Sequence, residues 1–157
     1  MKSAFYDGVG FDMTDYGEGN SLVELIYAER YLRRMESRLA WRYRDVRRVQ
    51  LVDLPGVIEA YDAGNISDDD WRDLIDLDAV ALARSKDRAD DIVIVIELSK
   101  TVDVNDVERA ARRAAIIRKA GLLVEACVDG EQIEPLAQSR LADLGVFSFV
   151  ERVAQAG

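Results

Sequence analysis

The sequence predicts an α/β domain in which a mixed sheet, made of an antiparallel hairpin and parallel strands, carries helices on both faces. Two observations support this prediction. Residues 77–83 and 91–98 are strand-like apolar runs separated by one short polar turn, as in a hairpin. After them, helix-like and strand-like segments alternate up to residue 150, and right-handed crossovers make such strands parallel.

The first predicted element is one long helix from Ser21 to Val49. Its apolar residues follow a heptad-like spacing that Arg42 interrupts. We expect this helix to pack on the sheet, and a coiled coil that would form a homodimer is the alternative. Glu29 lies beside the apolar stripe and is a candidate inward-facing acid, with a surface pair to Arg33 as the competing interpretation.

The next segments lead into the hairpin. Residues 51–64 are expected to form a linker with a short helical turn. Ser67 followed by Asp70 predicts a capped helix that continues through Ile75. The two strands of the hairpin come directly after this helix.

The segments beyond the hairpin alternate between helix and strand. Asn105 and Glu108 predict a capping box for a helix that runs through Lys119 and closes at Gly121. The remaining predicted elements are a strand over 122–128, a turn at 129–130, a helix over 135–144 closed by Gly145, and a strand over 146–150.

Length and composition indicate one soluble globular domain. The chain has 157 residues, of which 49% are hydrophobic and 32% are charged. Residues 1–20 are expected to form a flexible arm, and residues 21–157 a single domain. No apolar stretch is long enough to span a bilayer, so no membrane partner is expected. The single Cys127 excludes internal disulfides, which fits a cytoplasmic protein.

The absence of histidine narrows the chemistry. It excludes Ser-His-Asp and Cys-His catalysis, imidazole acid–base chemistry and histidine metal sites. With one cysteine, structural zinc is excluded as well. Any metal site would therefore hold a hard cation such as Mg²⁺, Mn²⁺ or Ca²⁺ on oxygen ligands.

Asp78 and Glu97 are the most informative residues, one acid in each strand of the predicted hairpin. Folding the hairpin about the middle of its turn pairs Val80 with Val95 and therefore places Asp78 opposite Glu97. Like charges directly opposite each other destabilise a sheet, and buried acids raise each other's pKa. Proteins usually tolerate such a pair for the sake of a cation or of catalysis.

The charges are unevenly distributed along the chain. The net charge is −9, which argues against general affinity for nucleic acid. From Arg30 to Arg48 arginines outnumber acids, whereas from Glu59 to Asp91 acids outnumber bases. This distribution allows contact with DNA phosphates at one local basic face, and a solvated helix surface is the alternative.

The order of these elements and two sequence segments resemble a known superfamily. The segments are residues 96–103, IELSKTVD, and residues 106–114, DVERAARRA. With an acid on the first hairpin strand and Glu97 ending the second, they resemble the PD-(D/E)XK nuclease superfamily, which has the restriction-endonuclease-like fold. They are more narrowly similar to a group of uncharacterised prokaryotic predicted nucleases in which the domain often follows a coiled coil. The resemblance covers roughly residues 21–150.

This resemblance implies a function and a metal site. Asp78 would be the metal-binding acid, Glu97 the second metal ligand, and Glu29 the extra acid that some members place on the first helix. In such enzymes one or two Mg²⁺ or Mn²⁺ ions clamp a scissile phosphate of DNA and activate water for in-line attack. The implied function is Mg²⁺-dependent phosphodiester hydrolysis.

The resemblance also suggests a nucleic-acid surface on the crossover helix. Arg109, Arg112 and Arg113 would meet phosphates there, and the alternative is that they pair with surface acids such as Glu108.

The chain departs from the superfamily motif at the catalytic lysine. Ser99 occupies the position two residues after Glu97, and Lys100 comes next, on the opposite strand face unless a bulge redirects it. The proline expected before the first acid is replaced by Leu77. The alternative function is a catalytically degenerate module for protein interaction or oligomeric assembly. A third hypothesis is an unrelated α/β domain in which both acids are surface residues at strand ends.

Overall fold

The predicted hairpin is the centre of the sheet in the computed structural model, which describes residues 20–155. The five strands of this part of the chain follow the sequence order across the sheet: β1 Tyr43–Val49, β2 Ala79–Ser85, β3 Asp91–Val102, β4 Val124–Ile133 and β5 Val146–Ser148. Strands β1, β2 and β3 are antiparallel neighbours, whereas β3, β4 and β5 run parallel. The mixed α/β sheet predicted from the sequence is therefore confirmed.

Helices cover both faces of this sheet. They are α1 Asn20–Leu39, α2 Val57–Asp62, α3 Asp68–Leu74, α4 Val104–Arg118 and α5 Pro135–Leu144, with a short 3-10 helix at Leu51–Asp53. Helix α1 packs on one face through Met35 and Leu39. The other helices share a second core on the opposite face, where α4 contributes small side chains such as Ala110 and Ala114. Within residues 20–155, none of the helices has the length and apolar character needed to cross a membrane.

The hairpin register is as predicted. Val80 pairs with Val95, and the ladder between β2 and β3 ends with the pair Ala79 and Ile96. The next residues outward are Asp78 and Glu97. The antiparallel geometry therefore brings the two acids to the same end of the hairpin, although Asp78 itself lies one residue outside β2.

The prediction of one helix from Ser21 to Val49 is wrong. Helix α1 ends at Leu39, and the chain returns as β1, the edge strand that pairs with β2. Asp45 has a positive φ of 52°, and the register shifts by one residue next to it. Apolar residues spaced three apart fit a strand with such a bulge as well as a helix, so the heptad pattern could not separate the two.

Strand β4 is longer than predicted, because residues 129–130 continue the strand instead of forming a turn. Asp129 pairs with Leu98 and Gly130 with Ser99. A Cβ atom on Gly130 would collide with the carbonyl oxygen of Ser99. Glycine at this position therefore allows β3 and β4 to lie this close together.

The helix boundaries are mostly confirmed. Ser67 caps α3 with Asp70, and α5 ends at Gly145 with a positive φ. The capping box of α4 is formed by Asp103 and Asp106, two residues before the predicted pair. The predicted arm over residues 1–20 falls, except for its last residue, outside the described residues.

The two tryptophans occupy contrasting places. Trp41 lies in the turn between α1 and β1, with 86% of its surface exposed. Trp71 lies on α3 and packs against Tyr61, with 5.0 Å between the ring centroids.

Candidate functional site

Glu97 is a buried acid on the face of the sheet that α4 covers. Val93 and Val95 belong to the core on this face, and strand alternation places Glu97 on the same side. Only 1% of Glu97 is exposed. Asp78 lies beside it at the end of the hairpin, where its Oδ2 accepts a hydrogen bond of 2.8 Å from the backbone N–H of Leu98. The structure therefore brings Asp78 and Glu97 together.

Both oxygens of the Glu97 carboxylate accept hydrogen bonds from arginines of α4. Arg113 Nη1 donates to Oε1 at 2.6 Å, and Arg109 Nε donates to Oε2 at 3.2 Å. Arg113 is itself buried, whereas Arg109 is partly exposed. The acid predicted to hold a metal thus has two guanidinium groups as counter-charges.

The same arginines connect Glu97 to two further acids. Arg113 Nε donates to Asp73 Oδ1 at 3.1 Å, and Arg112 holds both oxygens of Asp73 at 2.7 and 3.1 Å. Arg109 also forms an ion pair with Asp106 in the first turn of α4. We call these residues, together with Asp78, the α4 cluster: Asp73, Asp78, Glu97, Asp106, Arg109, Arg112 and Arg113.

Burial dominates the ionisation of Glu97. Burial and the neighbouring charge of Asp78 raise the pKa of Glu97 from 4.5 to about 7, and the opposing charges of Arg113 and Arg109 compensate only in part. Asp73 shows the opposite behaviour. Its hydrogen bonds from Arg112 lower its pKa, with a further contribution from Arg113.

The three arginines predicted to meet phosphates therefore all pair with acids of this chain. Arg112 pairs with Asp73 at the surface, as in the alternative. Arg109 pairs with the buried acids Glu97 and Asp106. Arg113 is itself buried, between α4, α3 and β3. Its position could have been found from the sequence. Residue 113 lies three after Ala110 on α4, on the face that the helix turns toward the sheet, so an arginine there signals a buried acid.

Ser99 and Lys100 follow Glu97 on β3, and the side chain of Ser99 hydrogen-bonds to Asp106 of the α4 cluster. The hydroxyl of Ser99 donates to the carbonyl oxygen of Thr101 at 2.9 Å. Lys100 is exposed. The pairing of β3 with β4 keeps one register from Leu98 to Val102, so no register shift between these strands redirects Lys100 toward Glu97.

Glu29 lies apart from the two other predicted ligands. It is on α1, which covers the opposite face of the sheet, and its side chain is 47% exposed. Its Oε1 accepts a hydrogen bond of 3.1 Å from Arg33 Nε, the surface pair that the sequence offered as the alternative.

The donor set does not fit a bound divalent cation. Among the side chains that the structure describes, no three acidic, histidine or cysteine residues form a group that could hold a metal ion. Two acids are adjacent, but the oxygens of Glu97 already face guanidinium groups. The arrangement as it stands is a cluster of acids that pair with arginines of the same chain.

A second buried acid lies on the opposite face of the sheet. Asp129 on β4 is buried, and both of its oxygens lie 2.7 Å from Nη1 of Arg38 on α1. The backbone N–H of Gly130 also donates to Asp129 at 2.8 Å. Burial raises the pKa of Asp129, and Arg38 opposes this effect. We call Asp129 and Arg38 the α1 pair.

Comparisons with known proteins give one partial similarity. No family model and no curated protein matches the chain. Among solved structures, the chain is similar to a repair endonuclease from Pyrococcus abyssi with 18% sequence identity and a TM-score of 0.38. The overlap covers 48% of this chain and 34% of that chain, so this chain spans about a third of the endonuclease. The mixed sheet, an antiparallel hairpin followed by parallel strands, is consistent with a restriction-endonuclease-like fold.

Proposed function

We propose that this chain is a nuclease-fold domain that does not hydrolyse phosphodiesters and acts instead in protein interaction or oligomeric assembly. The pairing of Glu97 with Arg113 and Arg109 carries this proposal. A divalent cation needs deprotonated, accessible oxygen ligands. Glu97 is 1% exposed and both of its oxygens face arginines, and burial raises its pKa to about 7, so it is inaccessible and only partly ionised at neutral pH.

The position after Glu97 supports the same conclusion. The superfamily motif has a lysine two residues after the glutamate, and this chain has Ser99, whose hydroxyl donates within its own strand. Ser99 therefore does not supply the positive charge that the lysine of the motif would place beside the reacting phosphate.

Exposed apolar side chains on α1 support an interaction role. Leu22 and Ile26 are 43% and 61% exposed and lie four residues apart, on one side of the helix. An exposed apolar pair on a helix is suited to packing against another helix. We propose a second copy of this chain as the occupant, which gives the homodimer suggested by the sequence.

A metal titration tests the proposed loss of hydrolysis. We expect the Tm of the wild-type protein to stay constant as Mn²⁺ or Mg²⁺ is added, because a ligand that does not bind the native state cannot stabilise it. Asp78→Asn serves as the control and should behave in the same way. A saturable rise of Tm in the wild type that Asp78→Asn abolishes would contradict the proposal.

Metal-dependent DNA hydrolysis is the second candidate function. The observation in its favour is the adjacency of Asp78 and Glu97 at one end of the hairpin, on one face of the sheet. It requires cleavage of single-stranded, duplex or branched DNA in Mg²⁺ or Mn²⁺ that is lost in Asp78→Asn. Absence of cleavage on all three substrates would leave the interaction role as the function.

A further inference from the structure

The buried guanidinium of Arg113 is surrounded by oxygen acceptors. It donates to Glu97 Oε1 at 2.6 Å, to Asp73 Oδ1 at 3.1 Å and to the backbone carbonyl oxygen of Asp76 at 3.2 Å. Two carboxylates and a carbonyl around one positive charge are the donor types that hard divalent cations prefer. Asp78 adds a further negative charge next to Glu97.

We infer that Arg113 is a built-in substitute for a divalent cation, and that removing its charge opens a cation site between Asp73, Glu97 and the carbonyl of Asp76. This inference rests on the proposed function, since it explains how the fold keeps its paired acids without a metal. A guanidinium is wider than a bare ion, so it holds the acids farther apart than a metal would. This agrees with the finding that no three acids among the described side chains are close enough to hold a metal ion. A smaller cation would draw the oxygens inward or keep water ligands.

The charges of the α4 cluster support this role. Without Arg113, Glu97 keeps only the partly exposed Arg109, while Asp73 keeps Arg112. The acids Asp73, Asp78, Glu97 and Asp106 would then face two arginines. An excess of buried negative charge is unfavourable, and binding of a cation relieves it.

Arg112 offers a matched control. It pairs with the same Asp73 through two hydrogen bonds, but it is exposed and contacts no oxygen of Glu97. Arg113→Met and Arg112→Met therefore each remove one positive charge from α4. Only Arg113→Met removes the charge that lies between the oxygens of Glu97, Asp73 and Asp76.

The experiment is a Mn²⁺ titration of both variants and of the wild type at pH 8, above the pKa of about 7 that Glu97 has in the wild type. Tm and the signal of free Mn²⁺ in electron paramagnetic resonance are followed together. We expect saturable Mn²⁺ binding and a rise of Tm by several degrees in Arg113→Met, with no response in Arg112→Met or the wild type. The double variant Glu97→Gln/Arg113→Met, which lacks a ligand, should lose the response.

The results separate this inference from the proposed function. A folded Arg113→Met protein that binds no Mn²⁺ overturns the inference and leaves the proposed function intact. Mn²⁺ binding by the wild type overturns the proposed function. If Arg113→Met folds only when Mn²⁺ is present, the inference is supported. If it stays unfolded with Mn²⁺ while Glu97→Gln/Arg113→Met folds, the inference is wrong.

Discussion

The two faces of the sheet hold buried acids that are alike in sequence context and different in surroundings. Glu97 and Asp129 lie in the middle of adjacent parallel strands, and each meets arginine from the helix on its own face. Asp129 is a single acid with one arginine and one backbone N–H. Glu97 has a second acid beside it and needs two arginines.

The comparison shows that on both faces of the sheet a buried acid of a strand pairs with arginine from the covering helix. The α1 pair links helix α1 to strand β4, and neither of its residues belongs to the superfamily motif. The α4 cluster uses the same interaction at the position where the sequence resemblance predicted a metal. Burial and a raised pKa occur in both places, so neither property identifies a catalytic site by itself.

The largest expected effect concerns the stability of the α4 cluster. Arg113→Met should lower the free energy of unfolding by about 3–5 kcal/mol in metal-free buffer, because it leaves the buried Glu97 with only the partly exposed Arg109. Urea denaturation measures the change. The control Arg112→Met should cost less than about 1 kcal/mol, since Arg112 is exposed. Equal effects of the two variants would show that the buried pair adds no stability of its own.

The second prediction concerns pH. The pKa of Glu97 is raised, so its contribution to stability is fully present below pH 4.5 and is lost as the pH rises through about 7. Between these values the wild type should lose about 3 kcal/mol of unfolding free energy relative to Glu97→Gln. Denaturation curves of both proteins across this range measure the difference. A difference independent of pH would mean that Glu97 ionises normally in the folded protein.

The third prediction addresses the other face. Arg38→Met should lower the free energy of unfolding by about 2 kcal/mol, less than Arg113→Met. Arg38 is 32% exposed, and Asp129 keeps the hydrogen bond from Gly130 after the substitution. Urea denaturation of both variants gives the ranking. If Arg38→Met proves the more destabilising change, the α1 pair is the stronger of the two interactions.

The smallest expected effect tests Glu29. Because its pair with Arg33 is exposed, Glu29→Ala should change the free energy of unfolding by at most about 0.5 kcal/mol. It should also leave the Mn²⁺ response of every variant unchanged. A loss of Mn²⁺ binding in Glu29→Ala/Arg113→Met would show instead that the two faces act on one site.

The sequence predicted the centre of the fold better than its edge. Alternation and one polar turn determined the hairpin register, because a shift by one residue would have turned the apolar side chains of β2 and β3 to the wrong faces. Strand β1 was missed because its spacing of Tyr43, Val46 and Val49 also fits a helix, and only pairing with β2 decides between them.

The candidate site was predicted in part. The proximity of Asp78 and Glu97 followed from the register of the hairpin, and this register could be predicted from the local sequence pattern. The arginines that neutralise Glu97 depend on how α4 and α3 pack against β3, and sequence spacing alone does not give those contacts. For the same reason the partner of Asp129, which is 91 residues away in the chain, could not be found.

The two tryptophans lie in different surroundings, and this difference can be used in a fluorescence measurement. Trp71 is on α3, two residues from Asp73, and is partly shielded by Tyr61, whereas Trp41 is open to solvent and distant in sequence from the α4 cluster. Replacing Trp41 with phenylalanine would leave Trp71, on the helix that carries Asp73, as the single tryptophan of the chain. Its emission would then respond to changes in the packing of α3, which Asp73 links to α4 through Arg112 and Arg113, without any attached dye.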